Sequence, residues 1–123
     1  MKHSETLIEK IKSQSESIEF EDIINYIDKS YNYSPTSFRN GPDHDFIVSK
    51  AGENEGSCKI FSFALMHKLD KEQTLNCFGR YYRDDVLKHP DAIDHINIRT
   101  FMKYGWGNII FDATALEKKN RPK

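Results

Sequence analysis

The sequence predicts an α+β fold: a mostly helical single domain with a central buried helix and a small antiparallel sheet. Three observations predict it. Phe20, Ile23, Ile24, Ile27 and Tyr31 recur at i, i+3, i+4, i+7 and i+11, the spacing of one helix face. From Ile60 to Leu69 the apolar residues point in nearly every direction at about 100° per residue, and a helix without a polar face belongs inside a protein. The runs at 46–48 and 108–111 are short, apolar and bounded by turn formers, which marks them as strands.

Taken in order, Leu7, Ile8 and Ile11 give a one-sided helix over residues 4–13, and 13–17 is a polar break. Residues 1–19 therefore read as a helical extension ahead of a domain spanning 20–116. The next helix carries Glu19, Glu21 and Asp22 in its first turn, where the dipole favours anions. Residues 31–38 hold Pro35 among alternating aromatics and read as extended. Asn40-Gly41-Pro42 is a turn, across which a hairpin to the 46–48 strand is expected. Gly52 and Gly56 open a loop, Ser57 is the expected N-cap, and the central helix follows over 57–69. Asp70 and Gln73 have capping-box spacing at the head of a helix expected to run from 71 to 87. Leu75, Phe78, Tyr82 and Val86 form its buried stripe, and Gly79 on that face allows a close neighbour. Arg80–Asp84 and Asp84–Lys88 are spaced as ion pairs on its surface. Pro90 stops it; Asp94 caps a last helix that ends at Gly105. Trp106 is placed across the small sheet. Residues 117–123 are charged and read as a frayed tail.

With 123 residues the chain suits one domain. Its net charge of -1, from many charges of both signs, points to neither nucleic acid nor a membrane as partner. Eight Phe, six Tyr and one Trp make disorder untenable. Cys58 and Cys77 both fall in predicted helices and read as reduced thiols of a cytosol-like compartment. No apolar run reaches membrane-spanning length, and Glu9, Lys10 and Lys12 interrupt any signal-peptide layout.

Several runs in fixed order carry a family resemblance. They are Asn40-Gly41, Ala51-Gly52-x-Asn54-x-Gly56-Ser57-Cys58-Lys59, Phe61-x-Phe63-Ala64 and Thr74-Leu75, then Phe78-Gly79-x-Tyr81-Tyr82-Arg83-x-Asp85-Val86-Leu87, His95-x-Asn97-Ile98-Arg99-x-Phe101-Met102 and Gly105-Trp106. Together they resemble the HopJ type III effector family of bacterial proteins, the HopPmaJ-like proteins, over residues 20–111. Arg80 stands where that pattern has an acidic residue, and Ile93 where it has glycine. The resemblance implies a small bacterial protein, resident in the bacterial cytoplasm or delivered into a host cell by a type III system, with a host protein as one class of partner. It implies no particular reaction.

The candidate site lies where the 52–59 loop meets Arg83, His95 and Arg99. Three chemistries compete for it. The backbone donors of Gly52, Asn54, Gly56 and Ser57, with Lys59, Arg83 and Arg99, would hold a small anionic ligand at a helix mouth. Cys58, opening the same helix beside Lys59, would be a nucleophile with His95 as its base and Asp94 or Asn97 as orienter. Against that, Cys58 shares a helical face with Ser62, Leu65 and Leu69, the position of a structural thiol. Asp85 and His95 are the pair best placed for a metal, but no paired-histidine spacing supports one, so no metal and no cofactor is expected. His67 reads as a hydrogen-bonded histidine and Cys77 as inert.

Overall fold

The structure, a computed structural model, describes residues 3–13 and 15–119. At its centre lies α3 (Glu55–Met66), which buries Cys58, Ile60, Phe61, Ser62, Phe63 and Ala64. Phe61 meets Phe38, Phe78, Phe101 and Trp106, while Phe63 meets Tyr26 and Tyr31, so two aromatic clusters share one helix. The helix begins earlier than the loop composition suggests. Its cap is Asn54, in left-handed backbone at φ 51, rather than Ser57. Its last turn is also less enclosed than an apolar sequence implies: Leu65 is 55% and Met66 44% exposed.

Around this rod pack α1 (His3–Ser13), a 3-10 turn (Ser15–Ser17) and α2 (Phe20–Ser30), with Ile23 and Ile27 fully enclosed as the periodicity predicts. The extension ahead of α2 supplies Ile11 and Ile18 to the same core. Then α4 (Lys71–Asn76) opens with the expected capping box: Gln73 N donates to Asp70 Oδ1 at 2.8 Å and Asp70 N to Gln73 Oε1 at 2.9 Å.

The long helix expected over 71–87 is broken. Gly79 takes φ +60, and a Cβ there would sit 2.6 Å from Phe20 N. The close neighbour anticipated at Gly79 is thus the start of α2, which Gly79 meets in left-handed backbone. Beyond it, Tyr81–Val86 winds as a π-helical segment that still buries Tyr82 and Val86. Asp84 keeps Lys88 at 3.2 Å, whereas Arg80 reaches across to Glu21 at 3.3 Å instead of pairing with Asp84.

The last helix, α5 (Ile96–Tyr104), is capped by His95 at φ 52 and not by Asp94, whose carboxylate accepts from Arg99 instead. Trp106, in a 3-10 turn (Gly105–Asn108), packs on Phe61 and Phe101 and donates to Leu69 O at 3.0 Å. It belongs to the helical core rather than to the sheet.

Two small antiparallel sheets complete the fold. In the first, β2 (Phe38–Asn40) and β3 (Ile47–Ser49) form the expected hairpin, and β4 (Ile109–Phe111) joins the other edge of β2. Phe38 opposes Phe111, with rings stacked 5.3 Å apart. In the second, β1 (Tyr31–Tyr33) pairs with β5 (Leu116–Lys118). Glu117 and Lys118, read from sequence as tail, are thus strand residues opposite Asn32 and Tyr31. Residues 120–123 of that tail lie outside the described residues. Among the described residues no helix is long and apolar enough to cross a membrane.

Candidate functional site

Two helix starts converge. Asn54 at the head of α3 (φ 51, ψ 49) and His95 at the head of α5 (φ 52, ψ 49) are both left-handed, and neither side chain caps its own helix. The first helical bonds run from Cys58 N to Asn54 O and from Arg99 N to His95 O. The backbone N–H groups ahead of them, at residues 55–57 and 96–98, have no acceptor within their helices. Asn54, Gly56 and Ser57 from one start, and His95, Ile96, Asn97 and Ile98 from the other, line one cavity of ≈ 370 Å³. Phe20, Phe78, Tyr81 and Ile93 supply its apolar walls.

An amide network fixes the two starts against the hairpin. Asn54 Nδ2 and Asn97 Nδ2 donate to Ser49 Oγ at 3.0 and 3.2 Å, and Asn40 Nδ2 donates to Asn97 Oδ1 at 3.0 Å and Asn97 O at 2.9 Å. Asn40, Ser49 and Asn97 are all buried. Asn40 spends its Nδ2 on these bonds, while its buried Oδ1 has no hydrogen-bond partner among the described residues. Buried amide bonds of this kind are expensive to disturb and hold geometry well.

His95 stands at the rim. Its Nε2 lies 2.9 Å from Asp85 Oδ2 and 3.8 Å from Asp94 Oδ2, and its ring tilts against Tyr81 at 5.3 Å. Behind it Arg99 donates to Asp94 Oδ1 at 2.7 Å, to His89 O at 2.9 Å and to Asp85 O at 3.3 Å. The guanidinium holds the Asp94 carboxyl below its ordinary pKa.

The site expected from sequence is therefore divided. Asn54, Gly56, Ser57 and His95 come together. Cys58 does not join them: it is 1% exposed, and its thiol approaches Thr36 O at 3.7 Å. Burial pushes the thiol pKa up, and the Tyr33 hydroxyl, the Thr36 backbone and, least, the Lys59 ammonium offset it only in part. Successive helical residues turn by about 100°, so Cys58 and Lys59 face away from the wall that Ser57 lines. Lys59 pairs with Asp28 at 2.9 Å over the Tyr33 ring. Arg83 bonds to Asn76 Oδ1 at 3.0 Å and to Ile18 O, pinning the segment between α1 and α2. Gly52, at φ +92, does not line the cavity. Arg99 reaches the site only through Asp94 and the backbone.

The sequence pattern described as HopJ type III effector protein matches residues 4–116. The chain belongs to the HopJ type III effector family. The match takes in α1 as well as the residues that carried the resemblance. The crystal structure of VPA0580, a protein of unknown function, superposes on this HopJ-family chain with a TM-score of 0.88 at 47% identity. The alignment covers 97% of this chain and 95% of that one. No curated protein matches. In the HopJ-family chain, sequence reasoning overlooked Asn40 and Ser49 as supports of the site. Asn40 and Asn97 did lie within the family-like runs, but nothing in their spacing says that residues 57 apart share a hydrogen bond.

Proposed function

We propose that this HopJ-family protein binds a small anionic ligand in the cavity between the α3 and α5 N-termini. The observation that carries this reading is the convergence of two uncapped helix starts on one cavity. Each start presents N–H groups and the positive end of a helix dipole, which together favour a carboxylate or phosphate. The walls made by Phe20, Phe78 and Tyr81 suit an apolar body attached to that head group. A small aromatic or aliphatic acid combines the two. Family membership supports export as an effector, so the ligand would be met in the bacterium or in a host cell.

An amide-resolved NMR titration with benzoate, and separately with inorganic phosphate, tests the reading. Saturable shifts confined to Gly56, Ser57, Asn97, Ile98 and their neighbours are expected. Absence of saturable shifts at millimolar ligand, or shifts centred elsewhere, would overturn it. If the apolar wall matters, benzoate binds more tightly than phosphate.

A further inference from the structure

We propose that Asp85, Asp94 and His95 form a binding site for a divalent transition ion such as Zn²⁺, at the rim of the cavity. One ligand atom from each lies within 4.8 Å of the others. His95 Nε2 is 2.9 Å from Asp85 Oδ2 and 3.8 Å from Asp94 Oδ2. Around a metal with bonds of about 2.1 Å, neighbouring donors sit roughly 3.0 to 3.4 Å apart, so the set needs only small side-chain rotations to close on an ion. The donors are of two kinds, an imidazole nitrogen and two carboxylates, and they come from two elements: Asp85 from the π-helical segment, Asp94 and His95 from the head of α5. Imidazole selects for transition ions over Ca²⁺ or Mg²⁺.

Arg99 is the positioning residue. It occupies Asp94 Oδ1 and leaves Oδ2 toward His95, while its bonds to Asp85 O and His89 O tie the two donor segments together. Two carboxylates and one guanidinium leave a net negative charge around the donors. Metal uptake would break the His95 Nε2–Asp85 contact, with the neutral imidazole carrying its proton on Nδ1 and offering the Nε2 lone pair to the ion. Three protein donors leave coordination positions free, and His95 also lines the cavity, so those positions lie beside it.

The test is Zn²⁺ binding to the full chain by calorimetry, with Co²⁺ absorption as an optical check and no anionic ligand present. The variants are Asp85→Asn, Asp94→Asn and His95→Asn. Asparagine is chosen at position 95 because it tolerates the left-handed backbone there. His44→Gln, in the β2–β3 turn against Tyr104 and outside the donor set, is the control, and thermal melts establish that every variant folds. We expect one saturable ion per chain, weakened about tenfold or more by each site variant and unchanged in the control. No saturable uptake at millimolar Zn²⁺ would overturn the proposal, as would binding that the three variants leave intact. Because no anion enters the experiment, its failure is separate from that of the ligand reading.

Discussion

Ser57 and Cys58 are adjacent in the chain and face different surroundings. Ser57 lines the cavity, whereas the Cys58 sulfur is enclosed beside Thr36. A thiol whose pKa is raised by burial is neither ionised nor accessible at neutral pH, and both features slow alkylation. Cys77 is more extreme, pushed up to about 12 by burial alone. Native protein is therefore expected to react with a thiol reagent at neither cysteine until denaturant opens the fold. Rapid labelling of Cys58 in the native state, located by peptide mass spectrometry, would contradict this. A second residue-scale prediction concerns His67, whose Nε2 is 2.8 Å from Tyr31 Oη. Burial, with Lys118 and Lys12 adding positive charge nearby, lowers its pKa from the ordinary 6.5. The unfolded chain then binds a proton in a range where the native one resists it. Stability contributed by this group is present above 6.5 and is lost as pH falls from there toward the native value. Denaturant midpoints should decline with pH through that window in the native sequence, and less steeply in His67→Gln.

Among the elements, the segment from α4 through Val86 separates what local sequence states from what tertiary contact decides. The Asp70–Gln73 box is a local device; both partners lie within one turn, and both bonds form as the spacing predicts. Asp70→Ala should cost about 1 kcal/mol of stability, read from the shift in urea midpoint. The break at Gly79 was not legible in the same way. Leu75, Phe78, Tyr82 and Val86 continue a helical stripe, and nothing local distinguishes a glycine that admits a neighbour from one that also turns left-handed and ends the helix. The decision rests with Glu19 and Phe20, distant in sequence, whose backbone occupies the space a side chain at position 79 would need. Gly79→Ala should thus lose about 1–2 kcal/mol to left-handed backbone strain, with the steric overlap adding to it. A variant as stable as the native chain would mean that this segment relaxes into the continuous helix its pattern describes. The same distinction explains Cys58. Local spacing put it at a helix start, but which way it faces follows from where Asn54 begins α3.

At the scale of the whole molecule, the short segments outside the main helices are joined to the core more firmly than their composition suggests. Ala115 and Leu116 are each 3% exposed, and Ile11 and Ile18 are at most 1% exposed. Legibility from sequence followed range: the α2 stripe, the hairpin and the enclosed central helix were readable because their partners are close or their faces uniform. The β1–β5 pairing and the Asn40–Asn97 bond join residues far apart, and composition is silent about them. This bears on how export is tested. Removing residues 1–19 to abolish a secretion signal would also remove two enclosed isoleucines. Each contributes about 1.5–3 kcal/mol by burial. It would take away Ser15 O and Ile18 O as well, leaving the Arg83 guanidinium without two of its acceptors in a partly buried position. Against a total stability of about 5–15 kcal/mol, that loss is a large fraction. The 20–123 fragment is therefore expected to show a much lower denaturation midpoint than the full chain, or no cooperative transition. Its failure to be exported would report on folding as much as on signal. Fusing residues 1–20 to an unrelated folded reporter isolates the signal: type III-dependent delivery of the fusion is the outcome expected of an exported HopJ-family protein. A fragment that melts like the full chain would show instead that the extension is dispensable to the core it enters.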